Sequence, residues 1–163
     1  MRILGYLVLL ALIAFVAWPY YEMFRLDNAL GDNDMQALGQ LVDLPAIRRN
    51  YKERLGKGLG LEPGRQDPNR ALAWLQQNLQ RLGDTALEKT ITLEWVRDTL
   101  QDAAARATDK KPPYFLAAVT FAFFESYDSF IVRLGELGCN ATYVRMRLEG
   151  TTWRVTDIIR CPL

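Results

Sequence analysis

The stretch CNATYVRMRLEGTTWRVTDIIRCPL, residues 139–163, carries the pattern that decides the fold of this chain. Large apolar residues alternate with polar ones on both sides of Gly150–Thr151, which is typical of two antiparallel strands joined by a two-residue turn. Apolar side chains share one face only if the strands pair about that turn. The predicted pairs are Leu148 with Trp153, Met146 with Val155, and Val144 with Asp157.

Both cysteines of the chain lie at the open end of this hairpin. Strict alternation places Cys161 opposite Asn140 and Cys139 opposite Pro162, and a disulfide needs its β-carbons closer than that. A bulge near Asn140–Ala141, or a frayed strand end, would bring the two cysteines together. We therefore expect a Cys139–Cys161 disulfide on that condition, whereas regular strands predict two free thiols.

The rest of the chain places helices before strands. Helices are predicted over residues 22–107. Pro19 opens the first, Asp32 or Asn33 caps the second, Asp43 caps the third, Asp67 caps a fourth that stops at Gly83, and the last begins near Thr92. Strands follow over residues 114–161. The first, 114–125, is apolar on both faces, so a buried helix would look similar. This order predicts an α+β domain, with several helices packed on a four-stranded antiparallel meander.

The N-terminus reads as a membrane segment. Residues 3–21 carry no charge, and a bilayer needs roughly 17–25 such residues. Trp18, Tyr20 and Tyr21 suggest an aromatic belt at the membrane surface. A cleaved signal peptide is one alternative, although a small residue is missing where cleavage would need one. A buried core helix is the other. Arg2 favours a cytoplasmic N-terminus. We expect an anchor over residues 1–21 and a single domain over 22–163. The protein would then be a single-pass protein of the bacterial inner membrane, with its domain in the periplasm, where disulfides persist.

Composition excludes several function classes. Histidine is absent, which removes the commonest general base and the usual zinc ligand, and the net charge of +1 gives no reason to expect nucleic acid. No phosphate loop, nucleophile elbow or cluster of metal ligands is visible. We expect no cofactor, no metal and no identifiable catalytic residue. The expected partners are the lipid bilayer, through residues 3–21, and a membrane protein.

Three groups of charged residues are candidates for function. Asp157 is predicted on the inward face of the last strand, where it needs an Arg or Tyr partner from a helix or else contacts a ligand. The basic run Arg48–Lys57 is either the solvated face of a helix or a patch that touches anionic lipid. Glu94, Asp98 and Asp102 share one helix face, which predicts a plain acidic surface.

Three segments carry a family resemblance: the short anchor ending WPYY, then FRLDNALGDNDMQALGQLVDLPAIRRNYKERL, and the ending WRVTDIIRCPL behind FESYDSFIVRLG. The chain resembles an uncharacterised bacterial family of small membrane-anchored proteins, domain of unknown function 2939, which implies no catalytic residues. The closing W-x-V-T-D-I strand is also similar to the last strand of nuclear-transport-factor-like and cystatin-like domains, which implies a cone-shaped α+β fold.

These observations favour a non-enzymatic envelope module that binds a protein or a small apolar ligand. One alternative is a small enzyme that uses a carboxylate, first Asp157, in a cone-shaped pocket. The other is a structural accessory subunit of a larger membrane complex.

Overall fold

The architecture is mixed α+β, as the sequence predicts. The computed structural model describes residues 2–56, 87–108, 114–138 and 141–160. Its helices are α1 (Arg2–Gly31), α2 (Met35–Leu41), α3 (Leu44–Gly56), α4 (Leu93–Thr108) and the short α5 (Phe115–Ala118), and residues 87–90 are also helical. Its strands are β1 (Val119–Ser126), β2 (Ser129–Leu134), β3 (Thr142–Glu149) and β4 (Thr152–Arg160). The helix predicted over residues 67–83 and both cysteines lie outside the described residues.

The four strands form an antiparallel meander in the order β1-β2-β3-β4. One face of this sheet packs against the helices and supplies part of the core. Buried on that face are Phe130, Val132, Leu134, Val144, Met146, Trp153, Val155 and Ile158. The helices bury against it Met23, Leu26 and Leu30 of α1, Leu38 and Leu41 of α2, Ile47 of α3, and Val96 and Leu100 of α4.

Helix α1 runs without a break through Pro19, where the sequence predicted that a new helix begins. A proline inside a helix costs a backbone hydrogen bond and usually bends the chain. Contacts on both sides of Pro19 hold the helix across it. The Phe15 ring stacks on Phe124 at 5.8 Å, and the Tyr20 ring meets Phe130 edge-on at 5.1 Å. The apolar N-terminal part of α1 and its buried C-terminal part are therefore one rod.

The helix caps follow local chemistry. The Asp43 side chain accepts a hydrogen bond from the backbone N–H of Ala46, as expected for the cap of α3. For α2 the prediction of Asp32 or Asn33 was wrong, because Asn33 takes a positive φ of 53° and the chain straightens one residue later. Asp34 caps instead, accepting from the N–H groups of Gln36 and Ala37.

The first strand begins later than predicted. Residues 115–118 form α5 rather than strand, with Phe115 and Ala118 buried one turn apart. In β1 the core side belongs to Phe124, while Phe121 and Phe123 are 49% and 42% exposed on the other side. Because both faces of this segment are apolar, alternation alone could not choose between them.

The β3–β4 hairpin has the predicted two-residue turn, and its pairs Leu148–Trp153 and Met146–Val155 are confirmed. Beyond Val155 the prediction fails. A bulge in β4 shifts the register by one residue, so Val144 pairs with Ile158, and Asp157 lies opposite Arg145. The extra residue therefore sits in β4. In the described part of β3, residues 142–149, the pairing with β2 is regular. The bulge predicted beside Asn140 falls outside the described residues, as does the disulfide.

Candidate functional site

Helix α3 lies along the free edge of β4. Val42 forms a parallel bridge with Val155, and the N–H of Asp43 donates to the Val155 carbonyl at 2.9 Å. About two turns further on, the Asn50 side-chain amide donates to the carbonyl of Thr156 at 2.9 Å. An open strand edge is a template for unwanted pairing, and here main-chain and side-chain donors occupy part of it. The bulge at Thr156 is thus tied to α3.

The next turn of α3 brings Arg54 to Asp157. The Arg54 Nη1 lies 2.6 Å from Oδ1 and 2.5 Å from Oδ2 of Asp157, and Nη2 reaches the Ile158 carbonyl at 3.4 Å. The Asp157 side chain is 3% exposed and that of Arg54 is 23%. The expected helical partner of Asp157 is therefore Arg54. A buried carboxylate needs such a partner, because burial without one is costly.

The Arg54 guanidinium also lies over an aromatic ring. The guanidinium carbon lies 5.6 Å from the centre of the Tyr51 ring, and that ring packs edge-on against Trp95 of α4 at 6.2 Å. Cation–π contact and the ion pair together fix the guanidinium plane. Asp157 was predicted on the face of Trp153, but the bulge removes it from that face. Its ligand-contacting role stays a prediction.

A polar groove opens beside this pair, between α3 and the β3–β4 hairpin. It encloses about 330 Å³. Its lining residues are Ala46, Arg49, Asn50, Arg147, Leu148, Glu149 and Thr156. Arg49 is exposed on α3, and the Arg147 side chain is 56% exposed while it pairs with Asp128 at 2.7 Å. Asp157 is not part of the lining. The groove therefore offers the exposed guanidinium of Arg49, beside Arg147 and Asn50, whose donors are partly engaged by Asp128 and Thr156. Such donors suit carboxylates and other planar anions.

A carboxyl pair stands at the end of the groove. Burial raises the pKa of Glu149 above its usual range, and a hydrogen bond with the Asp43 carboxyl and the charge of Asp43 raise it further. Arg154, 3.6 Å from Glu149 Oε2, opposes the shift. Sequence reasoning found Asp43 as a helix cap but missed this pair, because only the fold brings residues 43 and 149 together.

The basic run is divided between structural and exposed positions. Arg48 donates from Nε and Nη2 to the Ile91 carbonyl at 3.0 and 2.8 Å, and from Nη2 to the Glu88 carbonyl at 3.1 Å. It thus satisfies carbonyls at the end of the helical segment 87–90. A second groove of about 280 Å³, lined by Pro45, Arg48, Arg49, Lys52, Leu87 and Glu88, lies on this side of α3.

The acidic residues of α4 stay at the surface. Glu94, Asp98 and Asp102 are all exposed, as the sequence predicts. A hydrogen bond from the Thr92 hydroxyl, followed by one from the helix backbone, lowers the pKa of Glu94. Within the ranges that the structure describes, no three Asp, Glu, His or Cys side chains are grouped so that they could hold a metal ion.

Helix α1 is long and apolar enough to cross a membrane. Its side chains are exposed throughout residues 3–14, and they include Leu9, Leu10 and Ile13 at 54%, 67% and 61%. Its C-terminal half belongs to the domain core. Length and composition admit either a membrane-spanning segment or a signal-like one.

The helical part of the chain also carries its family relationship. The model of a family described as Protein of unknown function (DUF2939) matches residues 8–99. The chain belongs to the DUF2939 family. The matched part runs from the exposed half of α1 into α4, so it includes most of the apolar segment and the whole of α3. The four strands of this DUF2939 protein lie beyond the match.

No curated protein matches the chain, and no solved structure does. The likeness of the last strand to nuclear-transport-factor-like and cystatin-like domains therefore remains a prediction.

Proposed function

We propose that this protein is a single-pass anchor protein of the bacterial inner membrane whose domain faces the periplasm and binds a partner without catalysis. The observation that carries the proposal is the continuity of α1. Residues 3–14 of this helix expose apolar side chains, whereas Met23, Leu26 and Leu30 are buried in the domain core. Exposed apolar surface of this extent is costly in water and is expected in lipid.

Rigid coupling follows from the same helix. A domain on a flexible linker can turn freely above a membrane, but here the anchor itself is a core element. The domain would therefore present fixed faces to the lipid and to neighbouring membrane proteins. That arrangement favours binding to, or assembly with, a neighbouring membrane protein over the capture of freely diffusing ligands by a domain on a flexible linker.

The groove beside α3 is the best-supported binding surface. Its lining is mainly polar, so the apolar ligand expected from sequence is less suitable than a carboxylate-bearing peptide or small anion. Arg49 supplies an exposed guanidinium, and Asn50 and Arg147 add donors around it. Arg is well suited to binding carboxylates because its planar fork can donate two parallel hydrogen bonds.

A carboxylate-dependent enzyme is the second candidate, and the raised pKa of Glu149 is the observation that favours it. A carboxyl group whose pKa is raised is better suited to act as a general acid than an unperturbed one. In this alternative Glu149 takes the role that sequence reasoning gave to Asp157, since Asp157 is enclosed and neutralised by Arg54.

Membrane fractionation tests the anchor. We expect the full-length protein to stay in the membrane pellet after an alkaline wash, and a Leu9→Arg, Ile13→Arg double variant to be released, because charge in the hydrocarbon layer is costly. Asn28→Arg, an exposed position of the same helix outside the apolar segment, is the matched control and should stay bound. A soluble protein shortened at its N-terminus would show that the segment is a cleaved signal.

Topology and binding need separate measurements. A reporter fused after Leu163 that is active only in the cytoplasm should stay silent, and activity would contradict the periplasmic orientation. For the groove, chemical crosslinking in intact membranes should capture a partner that Arg49→Glu loses. Arg106→Glu, an exposed Arg on α4, should retain it. Equal capture by both variants would place the contact elsewhere.

A further inference from the structure

The segment formed by α5 and β1 runs antiparallel to α1, and three contacts define this direction. The N–H of Leu116 donates to Asp27 Oδ1 at 3.2 Å, the Tyr20 hydroxyl donates to the Ala122 carbonyl at 3.3 Å, and the Phe15 ring stacks on Phe124 at 5.8 Å. Moving along α1 towards its N-terminus thus means moving along β1 towards its C-terminus. The β1–β2 turn consequently points to the apolar end of α1.

The depth of this turn follows from helix geometry. At about 1.5 Å per residue, Phe15 lies about 9 Å closer to the N-terminus of α1 than Tyr21 does. If the surface of the hydrocarbon layer lies at the aromatic belt, the Phe124 ring is below it by a similar distance. The Tyr127–Asp128 turn continues beyond Phe124 in the same direction, at about 3.3 Å of strand per residue.

Raising the turn clear of the bilayer would leave too short an anchor. The surface would then lie before Phe15, and residues 3–14 would provide about 18 Å of helix for a hydrocarbon layer of about 30 Å. Any position of the surface between Phe15 and Tyr21 brings the turn into the bilayer. A spanning α1 and a water-exposed β1–β2 turn are therefore incompatible in this fold.

The exposed side chains of the hairpin suit contact with the membrane. Tyr127 at the turn is 79% exposed, and Phe121 and Phe123 expose rings whose centroids are 4.8 Å apart. Exposed aromatic side chains are typical of protein surfaces that contact a bilayer.

The charges around the turn are paired. Asp128 accepts from Arg147 at 2.7 Å and from the Ser126 hydroxyl at 2.6 Å, and Arg145 pairs with Glu125 at 3.0 Å. Paired charges cost less to bring out of bulk water than single ones.

We propose that the β1–β2 hairpin is a second membrane-contacting element, with Tyr127 immersed in the leaflet from which α1 emerges. The partner of this surface is the lipid bilayer itself. The inference rests on the proposed anchor role of α1 and adds to it an orientation. The end of the sheet that carries the β1–β2 turn faces the membrane, and the β2–β3 connection lies at the opposite end.

Depth-dependent quenching tests the inference on the full chain. An environment-sensitive fluorescent amino acid is introduced in place of Val8, Tyr127 or Leu137, one at a time, with both cysteines left intact. Val8 lies in the apolar segment. Leu137, 77% exposed at the opposite end of the sheet, matches Tyr127 in exposure. Proteins are reconstituted in vesicles with or without brominated lipid. We expect about twofold quenching at positions 8 and 127 and none at 137.

Each outcome separates the two proposals. Quenching at position 8 without quenching at 127 overturns the hairpin inference and leaves the anchor intact. Absence of quenching at both positions refutes the anchor, and the hairpin contact with it. Protection of position 127 from aqueous iodide in native membranes, without lipid quenching in vesicles, would mean that a protein covers the hairpin and would also overturn the inference. Similar quenching at 127 and 137 would refute the proposed orientation.

Discussion

Replacing Arg54 by Ala tests the ion pair that joins α3 to β4. The Arg54 guanidinium contacts both carboxylate oxygens of Asp157, bonds to the Ile158 carbonyl and lies over the Tyr51 ring. In the Ala variant the Asp157 carboxylate, whose side chain is 3% exposed in the native protein, loses its countercharge. In the Asp157→Asn variant it is Arg54 that loses its charged partner. The neutral Asn amide has nearly the same volume, and Arg54 is exposed enough to turn towards water.

The magnitudes differ because the two residues are unequally buried. Removing one partner of a buried pair typically costs about 3–5 kcal/mol. Since 23% of the Arg54 side chain is open to solvent, we expect Arg54→Ala to lie near the lower end, at about 3 kcal/mol. Asp157→Asn should cost about 1–2 kcal/mol, the loss of a charge-assisted hydrogen bond. The double variant should be more stable than the sum of the single changes predicts, because no charge remains unpaired.

Thermal unfolding of the full-length protein in mild detergent, followed by circular dichroism, measures these differences. At about 2–4 °C per kcal/mol for a chain of this size, Arg54→Ala should lower Tm by about 6–12 °C. Arg49→Ala is the matched control on the same helix. Because Arg49 is exposed, its loss should change stability by less than about 0.5 kcal/mol. An Arg54→Ala loss no greater than that of Asp157→Asn would refute the reasoning, since it would mean that water reaches the carboxylate.

Two further predictions concern the β3–β4 turn. A raised folded-state pKa means that Glu149 adds stability below its ordinary pKa of 4.5 and loses that contribution as pH rises through the raised value. Tm of the Glu149→Gln variant should therefore decline less than that of the native protein as pH rises above 4.5. Parallel plots of Tm against pH for the two proteins would contradict the raised pKa of Glu149. Gly150 has a φ of 64°, so Gly150→Ala should cost about 1–2 kcal/mol in the same assay. Gly31→Ala, at a position with open space and no positive φ, should cost nothing, and equal losses would contradict the argument.

The β3–β4 hairpin shows how far sequence determines register. Alternating apolar residues and the Gly150–Thr151 turn fix the pairs closest to the turn, because slipping by one residue would expose every core side chain. Alternation predicts the register correctly only as far as Val155, because the bulge begins at Thr156. The bulge there coincides with hydrogen bonds from Asn50 and Arg54, which are about a hundred positions earlier in the chain. No local pattern could predict a bulge associated with so distant a helix.

The segment around β1 shows a second kind of ambiguity. Its sequence is apolar at nearly every position, so period alone does not choose between strand and helix or between the two strand faces. Tertiary packing makes the choice. Phe124 meets Phe15, Phe130 and Trp153, whereas Phe121 and Phe123 remain outside. Contact of the hairpin with the membrane would account for the exposure of Phe121 and Phe123, because their rings would then face lipid.

Helix α3 explains why a run of cations is not one feature. Arg48 and Arg54 point about 120° apart around the helix axis, since each residue advances by about 100°. One flank faces the helical segment 87–90 and engages Arg48, and the other faces β4 and engages Arg54. Sequence reasoning treated the run as either a solvated face or a lipid patch, but two of its arginines are structural. Arg49 lies between these flanks and lines both grooves. A charge reversal at Arg49 should therefore affect binding, whereas a reversal at Arg48 or Arg54 should first affect the fold.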